Sequence, residues 1–384
     1  MILDSVKAAS LVIPFKQAFR HAAALRAVTE TLWIEARARD GTSGFGEGCP
    51  RSYVTGEDLQ TAAGFVQAHR RDWIATIGDI DALADWVARH RAVIDRNPAA
   101  WTAVELALLD LLGRTGGRAV EALLGLQDLA GNYRYTAVLG DSSPDRFEAN
   151  LARYVQTGFR DFKIKLSGDR ARDRAKLRAI SATGIRPESV RADANGLWRD
   201  ARTAIRHLRA INYPFLAVEE PLYAGDYVGM RRIASAIDTR IILDESLLRL
   251  EQLDRLGDCD RWIVNLRVSK MGGLLRSLEL LRGLRRIGCR VVCGAHVGET
   301  SLLARAALTV AQNAGDVLFG MEGAFGTHLL SIDVTEMPIM FGAGGCLDVA
   351  KQAIGASGFG LVISPPPGLT PIHRQRMAPS IRAH

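Results

Sequence analysis

Two lysines and three carboxylates end consecutive short apolar segments of the chain. Lys163 and Lys165 lie at the end of the segment DFKIKLS, and Asp193, Glu219 and Asp244 end the next three. The acids are 26 and 25 residues apart, about one strand–helix unit, so they would meet at one edge of a parallel sheet. Three close carboxylates repel one another unless a hard divalent cation lies between them. The sequence therefore predicts an Mg²⁺ site that holds a small carboxylate substrate and stabilises the enediolate formed when its α-proton leaves.

The two lysines are candidates for the base that removes this proton. Residues i and i+2 of a strand share one face, so both ammonium groups should point toward the predicted metal site. Neighbouring cations oppose each other's protonation, which lowers the pKa of a lysine toward the range in which it accepts protons. Lys163 and Lys165 are therefore catalytic candidates, in a chain that has only seven lysines.

Eight short β-rich segments alternate with stretches of helical period from about residue 130 onward. Eight parallel strands joined by helices predict an α/β fold of the TIM-like (β/α)-barrel type, with reactive residues at the carboxyl ends of the strands. An open doubly wound sheet is the rival, but the sequence lacks the glycine-rich phosphate loop that normally follows its first strand. The predicted strand segments are 135–140, 161–167, 189–196, 214–222, 240–247, 262–270, 290–297 and 316–323.

The first third of the chain has a different pattern. Alternating segments at 1–15 and 28–40 predict strands, and helical stretches follow them up to residue 115. Strands followed by a run of helices indicate a separate α+β unit. The predicted organisation is an α+β domain over residues 1–128, a barrel over 129–325 and a C-terminal segment over 326–384 that returns to the first domain.

Composition and charge exclude several classes of protein. The net charge of +7 comes from arginines spread among 42 acidic residues, without the basic runs or motifs that predict nucleic-acid binding. No apolar stretch of 18 residues predicts a membrane span, and the charged start MILDSVKAAS is unlike a signal peptide. Five cysteines without a CxxC pair are typical of reduced thiols. We therefore expect a cytoplasmic protein.

The ordered motifs KIKL, DANGLW, VEEPL, LDES and SKMGG resemble those of the enolase superfamily, in particular its mandelate racemase and muconate-lactonizing-enzyme family. Earlier segments such as GFGEGCPRSYVTGE resemble that family's capping domain, whose loops close over the active site. The resemblance implies a modified, enolase-type barrel with an N-terminal α+β capping domain, and commonly a homo-oligomer. It implies that Asp193, Glu219 and Asp244 bind Mg²⁺. It also implies that Lys165 acts on one face of the substrate and that Lys163 tunes it.

Two positions depart from that family's pattern. The segment NLRVSKMGG has Arg267 where the muconate-lactonizing branch has a second catalytic lysine, while Lys270 matches a non-catalytic lysine. Arginine stays protonated, so it exchanges protons poorly, but it can hold an anion or form a salt bridge inside the barrel. His296 ends the seventh segment, where the mandelate racemase branch has a catalytic histidine whose aspartate partner would fall at position 267. Its pKa suits proton transfer, although it can also be an ordinary hydrogen-bonded histidine.

These departures favour single-base chemistry. The expected enzyme is a muconate-cycloisomerase-like isomerase or lyase that performs cycloisomerisation or dehydration, with Lys165 as base and Arg267 and His296 as further catalytic candidates. One alternative is an epimerase or racemase of dipeptides or amino-acid derivatives. A second is a degenerate family member that binds metal or ligand without turnover. A Schiff-base barrel is a third, but it leaves the three carboxylates without a role.

Other residues are candidates for contacts to the substrate or to the metal ligands. Glu322 ends the eighth segment and would meet an amino group, as acidic residues there do in the family's dipeptide epimerases, or would cap the following segment. Asn195 and Glu245 stand beside metal-ligand candidates and would support them or cap loops. The predicted capping loops supply aromatic and cationic residues suited to a small anion, namely Arg20, His21 and Tyr53.

Overall fold

The computed structural model describes residues 1–21, 24–364 and 369–372. The β-strands of this part are Leu3–Leu11 (β1), Pro14–His21 (β2), Ala24–Val28 (β3), Thr31–Ala38 (β4), Ser43–Gly48 (β5), Asn132–Arg134 (β6), Ala137–Leu139 (β7), Phe162–Lys165 (β8), Val190–Asp193 (β9), Ala217–Glu219 (β10), Arg240–Leu243 (β11), Trp262–Leu266 (β12), Arg290–Cys293 (β13), Leu318–Met321 (β14), Cys346–Asp348 (β15) and Leu369–Pro371 (β16). The α-helices are Leu59–Thr76 (α1), Ile80–Arg89 (α2), Arg91–Arg96 (α3), Pro98–Thr115 (α4), Val120–Leu123 (α5), Pro144–Thr157 (α6), Arg170–Ala182 (α7), Ala201–Ile211 (α8), Tyr227–Ile237 (α9), Val268–Met271 (α10), Leu274–Arg286 (α11) and Ser301–Ala314 (α12).

Helix α4 packs directly on an N-terminal sheet. The strands of this sheet pair antiparallel in the order β16–β1–β4–β5. Gly44, Gly46 and Gly48 alternate along β5 and share the face that contacts α4, because residues two apart on a strand point the same way. A Cβ atom on Gly46 would lie 1.9 Å from the carbonyl oxygen of Ala103 in α4. Glycine at these positions therefore allows the helix to approach the sheet.

Strands β7 to β14 form the barrel. They are parallel and pair in the order β14–β13–β12–β11–β10–β9–β8–β7, and a bridge between Tyr135 and Met321 joins the two edges. This arrangement confirms the predicted barrel of eight parallel strands. The strand–helix alternation is less regular than predicted, because a 3-10 helix, Leu250–Arg255, follows β11. Among the described residues, 3-10 turns rather than an α-helix follow β14, beginning with Gly326–His328.

The described part of the C-terminal segment runs back over the N-terminal region. β15 pairs with β6, just before the first barrel strand, while in the N-terminal region the backbone N–H of Lys16 in β2 donates to the carbonyl of Leu329 at 2.7 Å. β16 then adds an edge strand to the N-terminal sheet by pairing with β1. None of the described helices is long and apolar enough to cross a membrane.

Candidate active site

Strand periodicity places the predicted catalytic and metal-binding residues at one end of the barrel. A fully buried apolar cluster takes one residue from each of β10 to β13, namely Ala217, Ile242, Ile263 and Val292. Because residues two apart on a strand share a face, the next positions toward the carboxyl ends of these strands are Glu219, Asp244, Asn265 and Gly294. An apolar layer therefore lies below the polar and charged groups of the barrel mouth.

Lys163 lies among three carboxylates. Its Nζ is 3.0 Å from Asp193 Oδ2, 2.6 Å from Glu219 Oε2 and 3.0 Å from Glu322 Oε2. Burial alone would lower the pKa of Lys163, but the carboxylates outweigh burial and raise the pKa above its usual value. The sequence predicts a lowered lysine pKa from the adjacent cation. In the structure the pKa of Lys163 is raised instead, because three carboxylates surround its ammonium group.

Lys165 is held by two acceptors on the neighbouring strand end. Its Nζ donates to Asp193 Oδ2 at 2.5 Å and to Asn195 Oδ1 at 2.8 Å. Asn195 has a positive φ of 47°, a conformation that asparagine adopts more readily than most residues, and its N–H donates to Asp193 Oδ1 at 3.0 Å. This turn places the Asn195 amide beside the ammonium group of Lys165, so Asn195 positions that group.

Strand β12 and the turn after it hold the other two carboxylates. Asn265 Nδ2 donates to Glu219 Oε1 at 2.9 Å, and Lys270 Nζ donates to Asp244 Oδ1 at 2.9 Å. The guanidinium of Arg267 contacts Asp244 Oδ2. Sequence reasoning left out the role of Asn265 and gave Lys270 no contact. Asn265 stands two residues before Arg267 and therefore shares its strand face, and this spacing would have identified Asn265 as a site residue.

Burial raises the pKa of all three metal-ligand candidates, which are fully buried, but the charges around them differ. Burial raises the pKa of Asp193, but the lysines at 163 and 165 outweigh it and lower the pKa to about 2. Arg267 and Lys270 likewise hold the pKa of Asp244 well below its usual value despite burial. Burial and then the nearby Asp193 raise the pKa of Glu219 to about 7. A further cation would therefore stabilise the charged form of Glu219 most.

Asp193, Glu219 and Asp244 provide the donor set that a hard divalent cation requires. As the side chains lie, no group of three acidic, histidine or cysteine residues in the described part of the chain surrounds a metal position. Lys163 lies between the carboxylates of Asp193 and Glu219, and Arg267 contacts Asp244 and is 3.8 Å from Glu219. Glu219 Oε2 accepts no hydrogen bond of normal geometry although it is buried. Three buried carboxylates with such an oxygen fit Mg²⁺ by their chemistry.

Arg267 and His296 form a buried pair at the ends of β12 and β13. The NH1 group of Arg267 is 3.3 Å from His296 Nδ1, and the two residues are 9% and 3% exposed. Arginine only donates hydrogen bonds, so Nδ1 is the acceptor and the proton of a neutral ring lies on Nε2. Burial, and then the positive charge of Arg267, hold the pKa of His296 well below its usual value. His296 is therefore a neutral imidazole, and its Nε2 has no hydrogen-bond partner among the described residues.

Glu322 is paired with two cations. Its Oε2 is 3.0 Å from Lys163 Nζ, and its Oε1 is 3.1 Å from an NH2 group of Arg191. Burial raises the pKa of Glu322, but these two cations outweigh burial and lower it. Sequence reasoning missed Arg191, although it stands two residues before Asp193 on the same strand face. The predicted contact between Glu322 and a substrate amino group would have to compete with both cations.

Two of the remaining candidates, Tyr53 and Glu245, line one cavity of about 730 Å³. Tyr53 lines this cavity and is 36% exposed, with the guanidinium of Arg26 5.8 Å from the centre of its ring. Glu245 also lines it, and burial and then Asp244 raise the pKa of Glu245 well above its usual value. The side chains of Arg20 and His21 lie outside the part of the chain that the structure describes. The same cavity is lined by the barrel residues Lys163, Lys165, Asn195, Arg267, His296 and Glu322.

A family model described as "Enolase C-terminal domain-like" matches residues 146–365, more than half of the chain. The chain belongs to the enolase superfamily. Membership confirms the resemblance seen in the motifs and makes the protein an enzyme. The superfamily reaction is Mg²⁺-dependent abstraction of a proton next to a carboxylate, and members use Mg²⁺.

The relatives of this enolase-superfamily enzyme include epimerases and racemases. It is 27% identical over 357 residues to a hydrophobic dipeptide epimerase of Enterococcus faecalis, covering 88% of this chain and 96% of the relative. It is 26% identical over 295 residues to an N-succinyl-L-Arg/Lys racemase of Bacillus cereus, covering 73% and 76% of the two chains. The dipeptide epimerase from Cytophaga hutchinsonii, solved with Mg and the dipeptide D-Ala-L-Val, has a TM-score of 0.82 at 23% identity over 96% of this chain and 99% of that one. At this identity the structural match shows a shared fold.

These relatives favour the predicted alternative over the main prediction. The sequence favours single-base cycloisomerisation or dehydration because an arginine replaces the second catalytic lysine. Each of the three relatives named above is an epimerase or a racemase. The substrate or ligand in each name is a dipeptide or an N-succinyl amino acid. The sequence preference rested mainly on Arg267. It included His296 as a catalytic candidate but did not predict that the two side chains lie 3.3 Å apart.

Proposed function

We propose that this enzyme is an Mg²⁺-dependent epimerase or racemase that inverts the α-carbon of an amino-acid derivative. The observation that carries the proposal is that Lys165 and His296 line one cavity from different strands, next to the buried carboxylate of Asp193, which Lys165 contacts. A reaction that inverts a carbon centre needs one group to remove a proton and another to deliver one to the opposite face. The cavity has a proton-transfer group for each task.

The first face of the substrate is assigned to Lys165. Its Nζ takes the α-proton, and the amide oxygen of Asn195, 2.8 Å from Nζ, fixes the direction in which that group points. Asp193, Glu219 and Asp244 would hold Mg²⁺, which stabilises the negative charge that the substrate carboxylate gains as the proton leaves.

The second face is assigned to His296, supported by Arg267. Arg267 follows the sixth strand of the barrel and Lys165 ends the second, so the two positions lie across a ring of eight strands. Arg267 itself stays charged and transfers no proton. His296 gives its Nε2 proton to the α-carbon, and the guanidinium 3.3 Å from Nδ1 stabilises the negative charge that the ring then carries. In the reverse reaction the ring takes the proton back at Nε2.

A second candidate is favoured by the same arginine. If Arg267 only holds an anionic group of the substrate, then His296 is a fixed hydrogen-bond donor and Lys165 is the single base. The chemistry would then be cycloisomerisation or loss of water from a β-hydroxy acid. The two candidates differ in whether the enzyme inverts a carbon centre.

The test is to follow each pure enantiomer of an N-acyl amino acid or dipeptide in D₂O by NMR and chiral chromatography, with Mg²⁺ present. The proposal predicts that each enantiomer becomes the other with deuterium at the α-carbon. In His296→Asn, inversion stops, while the enantiomer whose proton faces Lys165 still exchanges with solvent. Loss of water or ring closure without an epimer would support the second candidate instead.

The matched control is His69→Asn. His69 lies on α1 and does not line the cavity, so inversion should proceed in this variant as in the unchanged enzyme. Inversion that continues at its full rate in His296→Asn would contradict the role assigned to His296.

A further inference from the structure

A turn over residues 296–300 joins β13 to α12 and begins with His296. The backbone N–H of His296 donates to Glu299 Oε1 at 2.7 Å, and the backbone N–H of Glu299 donates to the carbonyl oxygen of His296 at 3.2 Å. Gly298, within the turn, has a φ of 94°, which residues with a side chain rarely adopt. Both His296 and Val297 line the cavity, so the shape of this turn determines where the imidazole stands.

The N-terminal domain holds this turn at both ends. Thr300, which caps α12, donates from its hydroxyl to Glu47 Oε2 at 2.6 Å, and Glu47 lies on β5. Arg51, in the loop after β5, donates from NH2 to the carbonyl oxygen of Val297 at 3.1 Å. The position of the turn relative to the barrel therefore depends on side chains from the other domain.

Arg51 is a buried cation whose partners are all main-chain carbonyls. It is 1% exposed, and besides Val297 it donates from NH1 to the carbonyl oxygens of Glu30 at 2.9 Å and Pro50 at 2.8 Å. None of the described residues forms an ion pair with it. Burying a charge without a counter-charge is costly, whereas a contact between domains can be made by apolar side chains. The cost indicates that the charge serves the site beside it.

The imidazole of His296 is neutral because of its surroundings. Burial, and then nearby positive charge, lower the pKa of this ring. Glu299 is the acid in contact with His296, but it binds the backbone N–H and not the ring. The cations that act on the ring in the described part of the chain are Arg267, Arg51, Lys270 and Arg26. Arg51 thus adds to the charge that keeps the ring neutral and also holds the residue next to it.

We propose that Arg51 is a positioning residue for His296, which holds the adjacent carbonyl of Val297 and places a buried positive charge beside the ring. The inference rests on the proposed function and adds a residue from the N-terminal domain to it. Arg51 does not line the cavity, so it acts through His296 and not on the substrate. Lys165 stands on another strand, β8, so proton removal on its face should not depend on Arg51.

The first experiment needs no substrate. The enzyme is labelled with ¹⁵N-histidine and loaded with Mg²⁺, and NMR follows the ring nitrogens of His296 against pH, with His296→Asn identifying the signals. The unchanged enzyme should show a neutral ring with its proton on Nε2. In Arg51→Met the ring should become protonated at a higher pH than in the unchanged enzyme, because a cation that opposes protonation is gone. Arg51→Lys keeps that charge and should titrate as the unchanged enzyme does.

The second experiment measures the face of the substrate that His296 serves. The enantiomer of N-acetylphenylalanine whose α-proton faces Lys165 is incubated with Mg²⁺ in D₂O, and the deuterated product is separated into inverted and retained forms. In Arg51→Met the ratio of inverted to retained product should fall about 10- to 100-fold, as expected for a misplaced proton-transfer group. Total deuterium uptake should change little. Arg51→Lys, with a single donor group, should recover part of the ratio, and it carries this test if Arg51→Met does not fold.

The matched control is Arg91→Ala. Arg91 lies on α3 and also joins the N-terminal domain to the barrel, since its NH1 is 3.0 Å from Glu279 Oε2 on α11, but it does not line the cavity. Both readouts should be unchanged in this variant. An unchanged titration or ratio in folded Arg51→Met, or an equal change in Arg91→Ala, overturns the inference and leaves the epimerase proposal standing. Inversion that is absent from the unchanged enzyme as well counts against the proposed function, and the titration then still tests whether Arg51 acts on His296.

Discussion

The buried ion pair between Glu121 and Arg305 should be a main determinant of stability. Glu121 lies in the short helix α5, and Arg305 lies in α12, which begins shortly after His296. The guanidinium donates to both carboxylate oxygens at 2.8 Å, and the hydroxyl of Thr309 donates to Glu121 Oε1 at 2.6 Å. Both charged residues are about 1% exposed. Removing either partner therefore leaves a buried charge without its partner.

Glu121→Ala should lower the free energy of unfolding by about 3–5 kcal/mol, the usual cost of breaking a buried pair from one side. The assay is urea denaturation followed by circular dichroism, with comparison of midpoints at equal m-value. Glu188→Ala is the matched control, because its pair with Arg186 has a distance of 3.5 Å and side chains that are 58% and 76% exposed. In Glu188→Ala the free energy of unfolding should fall by less than about 1 kcal/mol.

The double variant Glu121→Leu with Arg305→Met tests the physical reason. It removes both charges and keeps apolar volume, so it should recover much of the stability that Glu121→Ala loses. A loss in Glu121→Ala as small as in the exposed control would refute the reasoning, since it would mean that water or another group satisfies Arg305.

Three further predictions follow from single contacts. Asn265→Ala removes the donor to Glu219 and should weaken Mg²⁺ binding about 10- to 100-fold in calorimetric titration. Burial raises the pKa of Glu47 to about 7, so the folded state keeps a proton that the unfolded chain releases near pH 4.3. The free energy of unfolding, measured in urea, should therefore fall from pH 5 to pH 8, and fall less in Glu47→Gln. Gly273→Ala would force a side chain into φ +101° and place its Cβ 2.4 Å from a buried carboxylate oxygen, so it should cost at least about 2 kcal/mol in the same assay. Gly64→Ala in α1 meets open space and should be neutral or stabilising.

Sequence reasoning predicted the barrel and the residues at its mouth because both depend on local periodicity. A segment such as FKIK shows its strand period and its charged end within four residues, and the i, i+2 rule then assigns Lys163 and Lys165 to one face. The same rule would have added Arg191 and Asn265, which share a face with Asp193 and Arg267. These two residues lie inside their strands, whereas reactive side chains in a barrel are expected where the strands end.

Contacts between distant parts of the chain could not be predicted in the same way. Lys163 and Glu322 are 159 residues apart, and their pairing depends on the closure of the barrel between β7 and β14. That pairing, with the carboxylates of Asp193 and Glu219, reverses the predicted direction of the Lys163 pKa shift.

The most direct test of the central claim is deuterium uptake in D₂O at the α-carbon of one enantiomer of an N-acyl amino acid, the one whose α-proton faces Lys165. It compares the unchanged enzyme with Mg²⁺, the same enzyme with EDTA, and Lys165→Met with Mg²⁺, after thermal unfolding has shown that the variant is folded. We expect uptake in the first sample and a decrease of at least about 100-fold in the other two, as is typical when a general base is lost. Uptake that persists in EDTA or in Lys165→Met would contradict the claim that the metal site and this lysine together remove the α-proton.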